Sequence, residues 1–133
     1  MKNIILIILV LLSSCGFSQR QNNWRDGHVE LDSIPLTAYE YKERGKRKSA
    51  NGDKQGAIDD YTRAIMVEPT YDTAYHNRGV VRADIGYYKD AILDYTKAIE
   101  INPHFAASYF SRANGKVDLR DNKGALSDYS KAI

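Results

Sequence analysis

Residues 72–105 read DTAYHNRGVVRADIGYYKDAILDYTKAIEINPHF, and this stretch is the middle copy of a pattern that recurs on both sides of it. Sliding the chain along itself by 34 positions aligns Tyr41, Tyr75 and Tyr109, then Arg44, Arg78 and Arg112, then Gly45, Gly79 and Ala113. The agreement continues through Ala57, Ala91 and Ala125; Tyr61, Tyr95 and Tyr129; Ala64, Ala98 and Ala132; Ile65, Ile99 and Ile133; and Pro69 with Pro103. Within each copy the small and aromatic residues fall three and four apart, the spacing of one face of a helix. Each proline lacks a backbone N–H and ends the second helix of its unit.

Start signals complete the units. Thr37 with Glu40 three residues on forms a capping box, and Asp53 and Asp121 suit the first positions of second helices. The reading is six helices, at about 38–51, 54–67, 72–85, 88–101, 106–119 and 122–133. Gly45 and Gly79, with Ala113 in the third unit, belong where the paired helices approach closely. Tyr61, Tyr95 and Tyr129 are expected to nest between neighbouring helices.

The pattern of a large aromatic, Gly, Ala, an aromatic, Ala and Pro resembles the tetratricopeptide repeat over residues 38–133. The resemblance implies an all-α, right-handed α-solenoid of about three helix-turn-helix units (38–71, 72–105 and 106–133), the last one incomplete. It also implies that first helices line a concave face. The residues then directed into the groove are Tyr39, Lys42, Lys46 and Ser49; Thr73, His76, Val80 and Ala83; and Ala107, Phe110, Asn114 and Val117. Such a groove is basic at one end and apolar at the other, suited to a protein or peptide partner with acidic residues near Lys42 and Lys46 and an apolar anchor near Val80, Phe110 and Val117. The alternative is a solvated groove without a dedicated ligand.

Some members of the family bind C-terminal carboxylates with a clamp of two Lys, two Asn and one Arg. Lys42 and Asn77 match two of those positions, whereas Lys46, Ala107 and Ser111 stand where the other Asn, Lys and Arg would be. The clamp is incomplete.

Charge patterning adds two expectations. Asp60, Asp94 and Asp128 precede Arg63, Lys97 and Lys131 by three residues, which reads as exposed ion pairs along the second helices. Arg44, Arg78 and Arg112 occupy a position where the family often carries Leu, and are expected to lay their methylenes on the apolar seam with the guanidinium in water. The run KERGKRK at residues 42–48 reads as solvated helix surface, the alternative being contact with anionic lipid headgroups.

The chain has 133 residues, 43% of them apolar and 27% charged, with a net charge of +2. That balance does not single out nucleic acid as a partner. One cysteine excludes an intramolecular disulfide and a Cys-X-X-Cys pair. His28, His76 and His104 show no ligand spacing, and the sequence carries no phosphate loop or nucleophile elbow, so neither catalysis nor a metal or other cofactor is expected.

The N-terminus reads as an address. Lys2 precedes an unbroken apolar run from Ile4 to Leu12; as a helix, these residues would cover about 14 Å, against about 30 Å of hydrocarbon, too short to span a membrane. Leu12-Ser13-Ser14-Cys15 resembles the bacterial lipoprotein box. The resemblance implies that residues 1–14 are a signal peptide and Cys15 the lipidated mature N-terminus, placing the protein in the bacterial cell envelope, membrane-anchored and facing the periplasm. A plain secretory signal cut after Ser18 is the other reading, with a soluble secreted or periplasmic product. Residues 15–37, rich in Gln, Asn, Arg and Asp and containing Trp24, read as a polar linker. Finally, Leu126, Tyr129 and Ile133 are expected to leave an apolar face on the last helix, which a second copy or further repeats could cover.

Overall fold

The computed structural model describes residues 35–133. It consists of six α-helices: α1 (Ala38–Ala50), α2 (Lys54–Val67), α3 (Asp72–Asp84), α4 (Tyr88–Ile101), α5 (Ala106–Asp118) and α6 (Asn122–Lys131). They pair as α1·α2, α3·α4 and α5·α6, and the pairs stack through α2·α3 and α4·α5. First helices also touch one another, α1 on α3 and α3 on α5. The predicted boundaries hold to within two residues. Cys15, Trp24 and the expected leader and linker through residue 34 lie outside the described residues.

The ends of the helices follow from the residues that mark them. The Thr37 hydroxyl accepts from the Glu40 N–H at 3.2 Å, and the Glu40 carboxylate accepts from the Thr37 N–H at 2.8 Å. Asp53 and Asp121 each accept from an N–H three residues on, at 2.9 Å. The equivalent residue in the second unit, Tyr87, makes no such cap. A residue before proline is driven out of helical geometry, and Glu68 and Asn102 are accordingly extended, ending α2 and α4.

The hairpin inside each unit turns on one left-handed residue, and this position again recurs at the 34-residue period. Gly52 (φ 86°) and Gly86 (φ 85°) fill it in the first two units, but Arg120 takes it in the third at φ 63°. A side chain with Cβ is strained there, by about 1 kcal/mol or more.

The core is a column of alanines and tyrosines. Ala57, Ala64, Ala74, Ala91, Ala98 and Ala113 are fully buried, as are Tyr61 and Tyr95 apart from a few per cent. Each of those rings lies against a glycine of the paired helix. A Cβ on Gly45 would sit 3.0 Å from Tyr61 Cε1, and one on Gly79 would sit 2.7 Å from Tyr95 Cε1. In the third unit Ala113 already carries that Cβ, and Tyr129 is only half-buried. The expectation of three nested tyrosines thus holds for two; Tyr129 instead turns its hydroxyl to Asn114 Oδ1 at 2.6 Å.

The candidate binding groove and the ion pairs that shape it

The exposed pairs expected of Asp60, Asp94 and Asp128 are not what forms. All three carboxylates are buried, at 0%, 3% and 2% exposure. Each is gripped from the first helix of its own unit by the arginine sixteen residues upstream. Arg44 Nε and Nη2 donate to Asp60 Oδ2 and Oδ1 at 2.8 and 2.6 Å. Arg78 meets Asp94 in the same way at 3.0 and 2.7 Å, and Arg112 meets Asp128 at 2.8 and 2.7 Å. A second cation four residues further along the first helix completes each site: Lys48 at 2.9 Å, Arg82 at 2.8 Å and Lys116 at 2.7 Å.

Burial requires this arrangement, because an unpaired carboxylate would be too costly to bury, whereas a two-pronged guanidinium and a second cation satisfy both oxygens. Burial alone would raise the carboxyl pKa of Asp60, but hydrogen bonds from Arg44 and Lys48 outweigh it and hold it below the usual range; Asp128 is held low by Arg112 and Lys116 against the same effect. Of the expected partners, only Arg63 stays near its aspartate, at 3.9 Å. Lys97 pairs with Glu100 instead, and Lys131 lies over the Tyr109 ring.

Two of the three arginines are correspondingly not wet, whereas Arg44 is 33% exposed. Arg78 and Arg112 side chains are 13% exposed, and their Nη1 groups donate across to the preceding unit, to Thr62 Oγ1 and Thr96 Oγ1, each at 3.0 Å. Each guanidinium also lies 5.1–5.6 Å from the ring of the tyrosine three residues before it, which accounts for the periodic Tyr41, Tyr75 and Tyr109. Arg78 and Arg112 thus tie helix to helix and unit to unit, while Arg44 ties the two helices of the first unit. The signal was in the sequence as an Arg-to-Asp interval of sixteen repeated three times.

The expected groove residues form a row of contacts running from unit to unit. Tyr39 is 61% exposed, and the Lys42 ammonium sits 4.4 Å above its ring and 6.0 Å from that of Tyr71. Lys42 is also bonded to Glu43 at 2.6 Å, which raises its pKa and ties up its charge. Lys46 is exposed, so it is the cation more open to a ligand. In the second unit Asn77 and Val80 are half-buried. His76 is enclosed at the joint with the third unit: its ring is 4.9 Å from Phe105 and 5.6 Å from Tyr95, and Nδ1 is 2.9 Å from the hydroxyl of the fully buried Ser108. Phe110 (54% exposed), Asn114 and Val117 are open, with Phe110 5.6 Å from Tyr129. Sequence reasoning missed Tyr71, Phe105 and Tyr129 as neighbours of this row. Tyr71 and Phe105 are 34 apart, each preceding a first helix, and that recurrence was the available signal.

The setting of His76 carries a pH dependence. Burial lowers its pKa from 6.5, with Asp72 pulling weakly the other way. The folded state therefore binds this proton less readily than the unfolded chain, and stability present above about pH 6.5 is lost as the pH falls through the folded value. Melting temperatures between pH 7.5 and 5 should decline in the parent and lose most of that slope in His76→Gln. An unchanged slope in the variant would place the titration elsewhere.

Among the described residues, no group of His, Cys, Asp and Glu is placed to hold a metal ion, and no helix is long and apolar enough to cross a membrane.

With this geometry in view, comparison with other proteins is direct. Residues 73–105 match the tetratricopeptide repeat family model, and the described chain is an all-α solenoid of such repeats. It is similar to the crystal structure of MamA, with a TM-score of 0.71 and 31% identity over 72% of this chain and 56% of that one. The match thus spans little more than half of the MamA chain. It is also similar to the second repeat domain of Spaghetti (RPAP3) bound to the HSP90 peptide SRMEEVD, with a TM-score of 0.70 and 25% identity over 71% of this chain and 88% of that one. A third similar structure is the TPR2B domain of yeast Sti1 in its pHsp70 complex, with a TM-score of 0.70 and 29% identity over 71% and 76% of the two chains. No curated protein matches the chain.

Proposed function

We propose that the protein is a non-catalytic adaptor that holds a peptide or protein segment along the row of first-helix residues, carried on a membrane of the bacterial envelope by a lipid on Cys15. One observation supports the groove above all. The recurring Arg, Asp, Gly, Ala and most of the Tyr residues are engaged in packing, whereas Tyr39, Lys46, Phe110, Asn114 and Val117, which differ from unit to unit, are exposed on first helices. Exposed side chains are the ones available for recognition, even where, as with Phe110 and Asn114, they also touch Tyr129. That the similar Spaghetti domain is bound to an HSP90 peptide, and the similar Sti1 domain is in a pHsp70 complex, supports the reading of a protein or peptide partner.

The ligand differs from those held by a complete carboxylate clamp. Only Lys42 and Asn77 match that clamp, and Lys42 is committed to Glu43. The groove suits an internal segment with an acidic residue facing Lys46 and an apolar residue against Phe110 and Val117.

An array of peptides of about twelve residues, graded in acidic and apolar content, tests this reading. Binding should need both features, and combined Lys46→Ala and Phe110→Ala should weaken it at least about tenfold, the scale of two lost anchoring contacts. Equal binding by parent and variant removes the groove. Mass spectrometry of the protein from a bacterial membrane should find a diacylated Cys15 at the N-terminus; an unlipidated Gln19 terminus overturns the anchor.

A further inference from the structure

The two joints between units share their polar contact but not their packing. Arg78 bonds to Thr62 across the first and Arg112 to Thr96 across the second, both at 3.0 Å. At the first joint Val81 of α3 is sealed with Ile58 and Tyr61 of α2 in one apolar cluster. A glycine stands 34 residues later. Gly115 of α5 faces Ile92 of α4, and Ile92 is only half-buried where Ile58 is buried. Without the valine side chain the second joint has less apolar contact to hold it shut.

The same joint encloses His76. Its counterpart at the first joint, Lys42, stays charged at neutral and mildly acid pH and is held by Glu43 and the Tyr39 ring. The fully buried Ala74 of the first joint is likewise exchanged for the fully buried Ser108, whose hydroxyl lies 2.9 Å from His76 Nδ1. The second joint therefore replaces apolar closure by a polar contact made through a side chain that titrates near neutrality. A second proton on the ring makes both its nitrogens donors and sets a net charge between Phe105 and Tyr95, where water is scarce. Few groups answer that charge. Asp72, one turn back on α3, pulls weakly on the ring and is already engaged by the Thr73 N–H and the Asn102 amide. From α4 comes Tyr95, whose hydroxyl burial pushes up to about 12 and so keeps neutral; from α5 comes Ser108; and Lys42 of α1 is turned to Glu43.

We propose that the second joint is an acid-operated hinge, at which a proton taken up by His76 frees α5 and α6, as one unit, from α3 and α4. Once α5 has moved off, the imidazole stands in water with its ordinary affinity for the proton, so acid favours the open joint. The consequence for a ligand rests on the groove reading given above. Opening parts Lys46 of the first unit from Phe110 and Val117 of the third, and a segment that spans both leaves through the open state, faster as the pH falls.

Hydrogen exchange read by mass spectrometry on the full chain, at pH 7.5 and 5.5 and corrected for intrinsic amide rates, tests the hinge with no ligand present. The opening constant of α5 and α6 amides should rise severalfold. The ceiling is about tenfold, the most that one imidazole of pKa about 6.5 in the open state gives over this interval. Amides of α1 and α2 should change little, and His76→Gln should abolish the rise. Gly115→Ala alters the packing of the joint without touching the ring, and should keep the parent's ratio between the two pH values. Four results overturn the hinge: no rise in the parent, an equal rise in α1 and α2, a rise that persists in His76→Gln, or a ratio lost in Gly115→Ala as well. Peptides retained from the array should dissociate faster at pH 5.5 by the same factor, and not in His76→Gln. A hinge response with no peptide bound at either pH supports the hinge and removes the groove.

Discussion

Replacing Asp94 by alanine is expected to lower the free energy of unfolding by about 3 kcal/mol, the usual cost of removing one partner from a buried ion cluster. Asp94 accepts three short hydrogen bonds, from Arg78 Nε and Nη2 and from Arg82 Nη1. Without it, two guanidinium groups, 13% and 25% exposed, face each other with no anion between them. Asp94→Asn should cost nearly as much, because an amide offers one acceptor where the arginine fork needs two. Asp59, which is exposed and meets only Gln55, is the control, and its replacement by alanine should change stability by less than about 0.5 kcal/mol. Urea titration at neutral pH measures all three; a loss at Asp94 no larger than at Asp59 would show the ion cluster to be energetically idle.

Acid probes the same ladder. Asp60 and Asp128 hold pKa values below that of an unfolded aspartate, so the unfolded chain takes up protons first as the pH drops. Their contribution is complete above about pH 4 and disappears as the pH falls through the folded values.

Gly79→Ala is the second large effect, and its sign is opposite to the usual one. In an exposed helix interior this change stabilises by about 1 kcal/mol. Here the new Cβ would lie 2.7 Å from Tyr95 Cε1 and 3.2 Å from the backbone oxygen of Ala91, and the Tyr95 ring, 2% exposed, has no space to retreat into. Overpacking of this kind costs about 1–3 kcal/mol, so a net loss of about 2 kcal/mol is expected once the local helix gain is subtracted. Tyr95→Ala alone should cost about 3–5 kcal/mol. In that background Gly79→Ala should turn neutral or stabilising, and such a reversal assigns the penalty to the ring and not to the backbone. Thermal unfolding of the four proteins in the cycle decides it: additive losses would refute a direct clash. The third unit already shows the relaxed version, with Ala113 in place of glycine and Tyr129 half out of the core.

The surroundings of the expected groove residues were legible to different degrees along the row. Phe110, Asn114 and Val117 are exposed as their repeat positions implied, because exposure of a first helix's outer residues follows from the hairpin alone. Lys42 and His76 were read at the same positions, but neither is simply free. Lys42 is drawn onto Glu43 and the Tyr39 ring, and His76 is shut into the joint by Phe105 and Ser108. Those contacts depend on which neighbouring unit reaches across, and position within one repeat does not reveal it.

By themselves, the residues of this chain determined the period of 34, the six helices and their limits, since capping side chains, pre-proline geometry and the spacing of Ala, Tyr and Gly are local properties carried by near neighbours. Only the tertiary structure decided where the charges go. An aspartate has a basic residue three positions after it and an arginine sixteen before it, and local spacing favours the first. Packing the hairpin takes the carboxylate out of water, where a forked guanidinium from the facing helix can satisfy both its oxygens and a flexible surface partner cannot.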